Sequence, residues 1–206
     1  MSSIKLVLAT RNPGKIVEFR RILAELHPGA IDLVGLEHFP DLQDVEETGE
    51  TFFENALLKA RTVCLETGLA AIADDSGLCI DALEGAPGVL SARWSGVHGN
   101  DAANIEKVLA QLALVQESGR GAHFTCVSAF VMPDGRESTA EGILSGKILR
   151  KPIGNHGFGY DPIFRPAGSA LSLAELDAKK KDLISHRGQS LRAIAPRVAA
   201  MLGALG

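Results

Sequence analysis

The chain has 206 residues, of which 46% are hydrophobic, 22% charged and 5% aromatic, with a formal net charge of −4. This is the composition of a globular protein with a core of Leu, Ile, Val and Ala, not of a disordered chain. The acidic balance argues against a general nucleic-acid binder, which needs a basic field, and no apolar run approaches the length of a membrane span.

In chain order, Ile4 to Ala9 is a short apolar run that predicts a buried strand. "TRNPGK", residues 10 to 15, predicts a turn, and Ile16, Phe19, Ile22, Leu23 and Leu26 recur at helical spacing until Pro28-Gly29. A glycine turn opening onto a helix offers backbone N–H groups and the positive end of the helix dipole to an anion, and Lys15 adds a point charge. It is not a nucleotide loop of the Walker type, because the glycine spacing differs and no Ser or Thr follows Lys15. Ile31 to Leu36 predicts a second strand.

The acidic loop "DLQDVEETGE" follows, and its Glu46 and Glu47 are either a solvated surface pair or cation ligands. Thr51 and Glu54 have the spacing of a capping box, opening a helix with Phe53, Ala56, Leu57, Ala60 and Cys64 on its apolar face and Gly68 as its C-cap. Leu69 to Ala73 predicts a third strand that ends at "DDSG", where Asp74 and Asp75 stand side by side before Ser76 and Gly77. Adjacent carboxylates repel unless something positive lies near them. A solvated turn would explain them. Their apolar flanks favour a metal or catalytic role at the end of a sheet strand, where ligands of open α/β sheets bind.

Residues 84 to 96 predict a glycine- and proline-punctuated loop, and Asp101 a cap for a helix with Ile105, Val108, Leu109 and Leu112. Two strands, 122 to 132 and 136 to 149, are joined by Pro133-Asp134-Gly135 as a hairpin, so the sheet cannot be purely parallel. "GNHGFGYDP" surrounds Phe158, Tyr160 and Asp161 with glycines, suiting a flat ring and a carboxylate that reads its edge, or an ordinary loop with one anchor. Ser172 and Glu175 repeat the capping-box spacing. His186 and Arg187, with Lys181 about a turn before them, start a final helix carrying Leu191, Ile194, Ala195, Val198, Met201 and Leu202, in which Pro196 predicts a kink or break.

The three cysteines, Cys64, Cys79 and Cys126, form no C-x-x-C pair and read as buried free thiols in a reducing compartment rather than a zinc site. The expectation is one cytoplasmic mixed α/β domain over residues 1–206, with the hairpin region, about 120–150, a candidate for part of a second lobe. Phosphate turn, acidic metal candidates, ring-stacking loop and basic residues together make a nucleoside triphosphate site.

Six stretches in order, "LATRNPGK", "EETGETFFENALLKA", "IADDSGL", "GAPGVLSAR", "FGYDPIF" and "SHRGQ", run from residue 8 to residue 189 and closely resemble the inosine triphosphate pyrophosphatase family, also called dITP/XTP pyrophosphatases. The resemblance implies Mg²⁺-dependent hydrolysis of ITP, dITP or XTP to the monophosphate and pyrophosphate. It implies a phosphate turn of Thr10, Arg11, Asn12, Pro13, Gly14 and Lys15, metal ligands Glu46 and Asp75, and Asp75 and Lys15 as catalytic groups. Ser76 is a substrate contact on the same footing, and Phe158, Gly159, Tyr160, Asp161, Lys181, His186 and Arg187 recognise base and sugar. It further implies a mixed α/β sheet flanked by helices, two lobes with the active-site cleft between them, and a homodimer. Arg11 stands where several relatives have glycine, and Trp94 where the family often has Tyr. A donor such as His186 or Arg187 would favour the 6-oxo group of hypoxanthine and xanthine over the 6-amino group of adenine. Two other readings are a septum-formation-inhibitor-like pyrophosphatase and a non-catalytic nucleotide sensor. "SHRG" with "FGYDP" disfavours the first, and intact Lys15, Glu46 and Asp75 the second.

Overall fold

The computed structural model describes residues 4–26 and 31–203. The apolar runs form six strands among these residues: β1 (Ile4–Leu8), β2 (Ile31–Gly35), β3 (Ala71–Ile80), β4 (Gly121–Val131), β5 (Glu137–Ile148) and β6 (Phe164–Pro166). They hydrogen-bond in the order β2-β1-β3-β4-β5-β6. β1 runs parallel to both β2 and β3, whereas β6 is antiparallel to β5, so the sheet is mixed. The helices are α1 (Pro13–Leu26), α2 (Phe52–Thr67), α3 (Asp101–Gln111), α4 (Ala178–Ile184) and α5 (His186–Leu202). The expected stop of α1 at Pro28-Gly29 lies outside the described residues.

Local chemistry sets the helix ends. α1 begins inside the expected turn, at Pro13, whose ring fixes a helical φ and sacrifices no needed N–H. Asn12 caps it, its Oδ1 accepting the Lys15 N–H at 3.1 Å. The capping box of α2 is complete: Thr51 Oγ1 accepts the Glu54 N–H and Glu54 Oε2 accepts the Thr51 N–H, each at 3.1 Å. Gly68 closes that helix at φ 67°, a conformation that favours glycine. Phe53, expected on the buried stripe, is half exposed in the first turn, and Phe52 packs on the core instead. Asn100, not Asp101, caps α3 by accepting the Ala103 N–H at 3.1 Å. α5 continues through Pro196 without the expected break. That proline lies on the exposed side, where water can satisfy the carbonyl that loses its partner.

The chain divides into two compact units: the first comprises the described residues up to Asp75 with Cys126–Gly142 and Arg187 onward, the second Ser76–Thr125 and Ile143–His186. In the first, the strands carry helices on both faces. Val7, Ala9, Ala71 and Ala73 meet Ala56, Ala60 and Val63 of α2. On the other face Leu6, Leu8 and Ile72 meet Phe19 and Ile22 of α1 and Leu191, Ile194 and Val198 of α5. The core of the second unit gathers Leu78, Ile80, Val108, Phe124, Ile148 and Phe164. Cys64 and Cys126 are buried and Cys79 half-buried, all three as free thiols. No described helix is long and apolar enough to cross a membrane.

One difference from the sequence reading matters most. β3 does not end at Ala73; it runs on through Asp74, Asp75 and Ser76 to Ile80. Charge does not end a strand when each charge is met by a partner.

Candidate active site

A strand turns successive side chains to opposite faces. Asp74 therefore shares the face of Ile72, toward α1 and α5, and Asp75 that of Ala71 and Ala73, toward α2. The two adjacent carboxylates are kept apart by the strand itself, and each meets its own cations.

On the first face Asp74 is fully buried. Its Oδ2 accepts from Arg187 Nε at 3.2 Å and Nη2 at 3.1 Å, from the Cys126 thiol at 3.6 Å, and lies 3.1 Å from Lys15 Nζ. Arg187 Nη1 donates to the Glu18 carboxylate on α1. Two cations thus face two carboxylates, a neutral set that can be buried at tolerable cost. Burial alone would raise the Asp74 carboxyl, but Lys15 and Arg187 outweigh it and hold it well below the usual carboxylate range. Burial likewise opposes the Arg187 charge, and Asp74 and Glu18 overcome it. Burial and the Asp74 charge push the Cys126 thiol up to about 12, which leaves it protonated and unreactive. Asp74 Oδ1 is buried and accepts no hydrogen bond from the described residues.

On the second face Asp75 Oδ2 accepts from Asn55 Nδ2 at 3.1 Å, and Oδ1 lies 3.4 Å from Lys59 Nζ. The same ammonium lies 2.6 Å from Glu47 Oε1. Asn55 also brackets the acidic loop, accepting the Gly49 N–H at 2.8 Å and donating to the Gly49 carbonyl at 3.3 Å. Both partners of the Lys59–Asp75 pair are shifted upward. For Lys59, burial is outweighed by Asp75, Glu47 and Asp74. For Asp75, burial wins over Lys59 and Lys15, because Glu47 takes the shorter contact with the ammonium and adds its own repulsion. A buried carboxyl with a raised pKa is the kind of group that exchanges protons in reactions.

The phosphate turn follows β1, which pairs with β3 at Val7–Ala71 and Leu8–Ile72. Thr10 Oγ1 accepts the Asn12 N–H at 3.2 Å, and Pro13, Gly14 and Lys15 form the first turn of α1. Arg11 points to the acidic loop, with Nε 2.7 Å from Asp44 Oδ1 and Nη2 donating to the Leu42 carbonyl at 2.8 Å. Glu46 is exposed, whereas Glu47 turns inward to Lys59. A hard cation fits this chemistry, since Glu47 and Asp75 already share one cation and Mg²⁺ needs only one or two carboxylates beside water and phosphate. No group of three or more potential ligands gathers among the described residues.

In the second unit, Lys181 Nζ lies 2.5 Å from Asp161 Oδ2 and 4.8 Å from the centre of the Phe158 ring. Asp161 Oδ2 also accepts the Phe158 N–H at 3.0 Å, and Asp101 Oδ2 accepts the Gly159 N–H at 2.6 Å. A Cβ at Gly157, where φ is 77°, would collide with the Asp161 carboxylate, so this loop requires glycine there. Tyr160 is buried and donates to the Ser91 carbonyl at 2.8 Å, an anchoring role rather than an exposed platform. The His186 ring stacks on Phe124 at 4.7 Å and 8°. Ser76, half-buried in β3, also belongs to this unit.

The structure therefore joins Lys15, Arg187 and Asp74 in one cluster, Asp75 and Glu47 in a second, and Phe158, Asp161 and Lys181 in a third. Arg187, expected to contact substrate, is buried against Glu18 and Asp74. Sequence reasoning missed Glu18, Asn55 and Lys59. The signal was present: each is a polar residue on the buried stripe of its helix, and Asn55 and Lys59 stand one turn apart.

Comparison with known proteins gives the chain its relatives. The model of the Ham1 family matches residues 6–197. A dITP/XTP pyrophosphatase of Streptomyces avermitilis is 54% identical over 97% of this chain and 99% of its own. The crystal structure of a nucleoside-triphosphatase / dITP/XTP pyrophosphatase from Mycobacterium abscessus is 49% identical, with a TM-score of 0.76 over 94% of this chain and all of the other. A HAM1 protein from Coxiella burnetii is 42% identical with a TM-score of 0.85, covering 96% of this chain and 99% of that one.

Proposed function

The chain belongs to the Ham1 family, and on that premise we propose that it hydrolyses the triphosphates of deaminated purines, ITP, dITP and XTP, to the monophosphate and pyrophosphate with Mg²⁺. The observation that carries the reaction is Asp75: a buried carboxyl of raised pKa, gripped by Asn55 and sharing one ammonium with a second carboxylate, Glu47.

In this reading Asp75 takes the proton of the water that attacks phosphorus, its other oxygen oriented by Asn55. Lys15, at the N-terminal turn of α1, offsets the negative charge on the phosphate oxygens together with the N–H groups of that turn. Asp74, with Arg187 and Glu18 behind it, holds the Lys15 ammonium in place. Asp75 with Glu47 would hold Mg²⁺, and Glu46, the ligand that the resemblance implies, stands next to them in the same loop. The ion would supply charge neutralisation on the triphosphate and a more acidic water. Base recognition is assigned to the second unit, with the Phe158 ring as an apolar surface and His186 as a donor toward a 6-oxo group. Arg187, whose guanidinium bonds Glu18 and Asp74, serves in this reading to support Asp74. A homodimer working in the cytoplasm, without nucleic acid or membrane, completes the proposal.

The test is pyrophosphate release from ITP, XTP, dITP, GTP and ATP, with Mg²⁺ and with EDTA. Metal-dependent turnover of the deaminated purines well above GTP and ATP is the expected result. Comparable turnover of all five would keep the chemistry and overturn the selectivity. Nucleotide binding without turnover would make the protein a sensor.

A further inference from the structure

Lys59 presents its ammonium where two carboxylates converge, 2.6 Å from Glu47 Oε1 and 3.4 Å from Asp75 Oδ1. The residue is only 9% exposed, so it is a buried charge that depends on those two oxygens rather than a surface lysine that wanders near them. Its position in α2 is fixed by the capping box at one end and the Gly68 cap at the other, but its four-carbon stem lets the ammonium itself move. The carboxylates are held by something else. Asn55 grips Asp75 through its other oxygen and ties the acidic loop to α2 through both polar groups of Gly49. The oxygens can thus keep their places while the cation between them changes.

We propose that Lys59 is the resident cation of the Glu47–Asp75 pair and that a divalent ion displaces it on binding. This deepens the preceding reading and rests on it for treating the pair as a metal centre. Before the ion arrives, Lys59 suppresses the repulsion between two partly buried carboxylates and keeps the acidic loop against α2. Once displaced, its charge is released beside a site that receives phosphate, where an ammonium on a flexible stem finds a new partner. The two cations are competitors for one oxygen pair, and the lysine lowers metal affinity in the absence of nucleotide.

The experiment titrates nucleotide-free protein with Mg²⁺ by calorimetry, and with Mn²⁺ by electron paramagnetic resonance, in wild type, Lys59→Met and Lys59→Arg. Removing the competing charge is expected to tighten metal binding about tenfold or more in Lys59→Met, while Lys59→Arg stays near wild type. Thermal melts give a second readout: Lys59→Met melts lower than wild type without metal and gains more from added Mg²⁺. Equal or weaker affinity in Lys59→Met would overturn the proposal. If that variant folds only with metal, refolding in Mg²⁺ supports the exchange, and failure to refold at saturating Mg²⁺ while Lys59→Arg folds overturns it. ITP hydrolysis by wild type is scored separately. Turnover with unchanged metal affinity in Lys59→Met removes the exchange alone, and tighter affinity without any turnover removes only the assigned activity.

Discussion

Asp74 and Asp75 are the same residue type, adjacent in one strand and both buried, yet their surroundings drive them in opposite directions. Asp74 has two cations of its own within 3.2 Å, with Glu18 balancing the second. Asp75 shares Lys59, at 3.4 Å, with a nearer carboxylate, and feels the Lys15 charge more weakly. Burial opposes charge on both; the count and distance of cations decides which carboxylate gives way. The Asp74 face is a closed, neutral strut that locks Lys15 and the start of α5 to β3. The Asp75 face carries less positive charge, which suits the proposed roles of proton acceptor and metal ligand. The period of the strand is what allows one sequence step to separate these two environments.

The strongest way to break this contrast is Asp75→Asn. Activity should fall about 10²–10⁴-fold, the usual contribution of a positioned general base. The folded protein should become more stable in the same variant. Burial raises the folded pKa of Asp75 above that of a free aspartate, so its contribution to stability is present at lower pH and lost as pH rises through the folded value. At neutral pH its ionised form is a net cost, and asparagine removes it. Each kcal/mol recovered would raise the melting midpoint by about 2–4 °C in a chain of this size. An inactive variant that is also less stable would show that Asp75 belongs with Asp74 as a structural ion.

Asp74→Asn should show the reverse pattern in urea denaturation. It leaves the half-buried Lys15 and the buried Arg187 with one carboxylate between them, a loss of about 3–5 kcal/mol. The sign of its pH dependence is also opposite. Asp74 is depressed below 3.8, so its stabilisation is complete above that value and is lost only as pH falls below it. A fully stable but inactive Asp74→Asn would place Asp74 in the reaction and dissolve the contrast. Glu18→Gln is the milder probe of the same face, because Asp74 still holds Arg187. A loss of about 1.5–3 kcal/mol is expected, the worth of a hydrogen bond to a charged group.

The sequence made some of this legible and hid the rest for physical reasons. The start of α2 was readable because a capping box needs only Thr51, Glu54 and their spacing, which are local. The hairpin at Pro133-Asp134-Gly135 was readable for the same reason, with Gly135 at φ 87°. The course of β3 was not, because two adjacent aspartates look like a turn until Lys15, Arg187, Asn55 and Lys59 are brought to them from three other elements. The same long-range pairing explains why Glu18 went unnoticed. Glu46 and Glu47 were indistinguishable by type, and only the inward turn of Glu47 toward Lys59 separates them.

The smallest expected effect concerns the link between the phosphate turn and the acidic loop. Arg11 bonds Asp44 and the Leu42 carbonyl, and both side chains are exposed, at 42% and 81%. Exposed ion pairs are worth about 0–1 kcal/mol, so Arg11→Ala should lower stability by no more than that. High salt should erase most of the difference between wild type and variant, since solvent-accessible charges are screened within a few ångströms at about 1 M. Because the guanidinium is directed at the loop, KM for ITP should rise by no more than a few-fold, the contribution of the turn coming from its backbone and Lys15. A much larger rise in KM at unchanged stability would mean that Arg11 leaves Asp44 to bind phosphate. The acidic loop would then be released as nucleotide arrives, and the Asp75 face would be assembled by substrate rather than in advance of it.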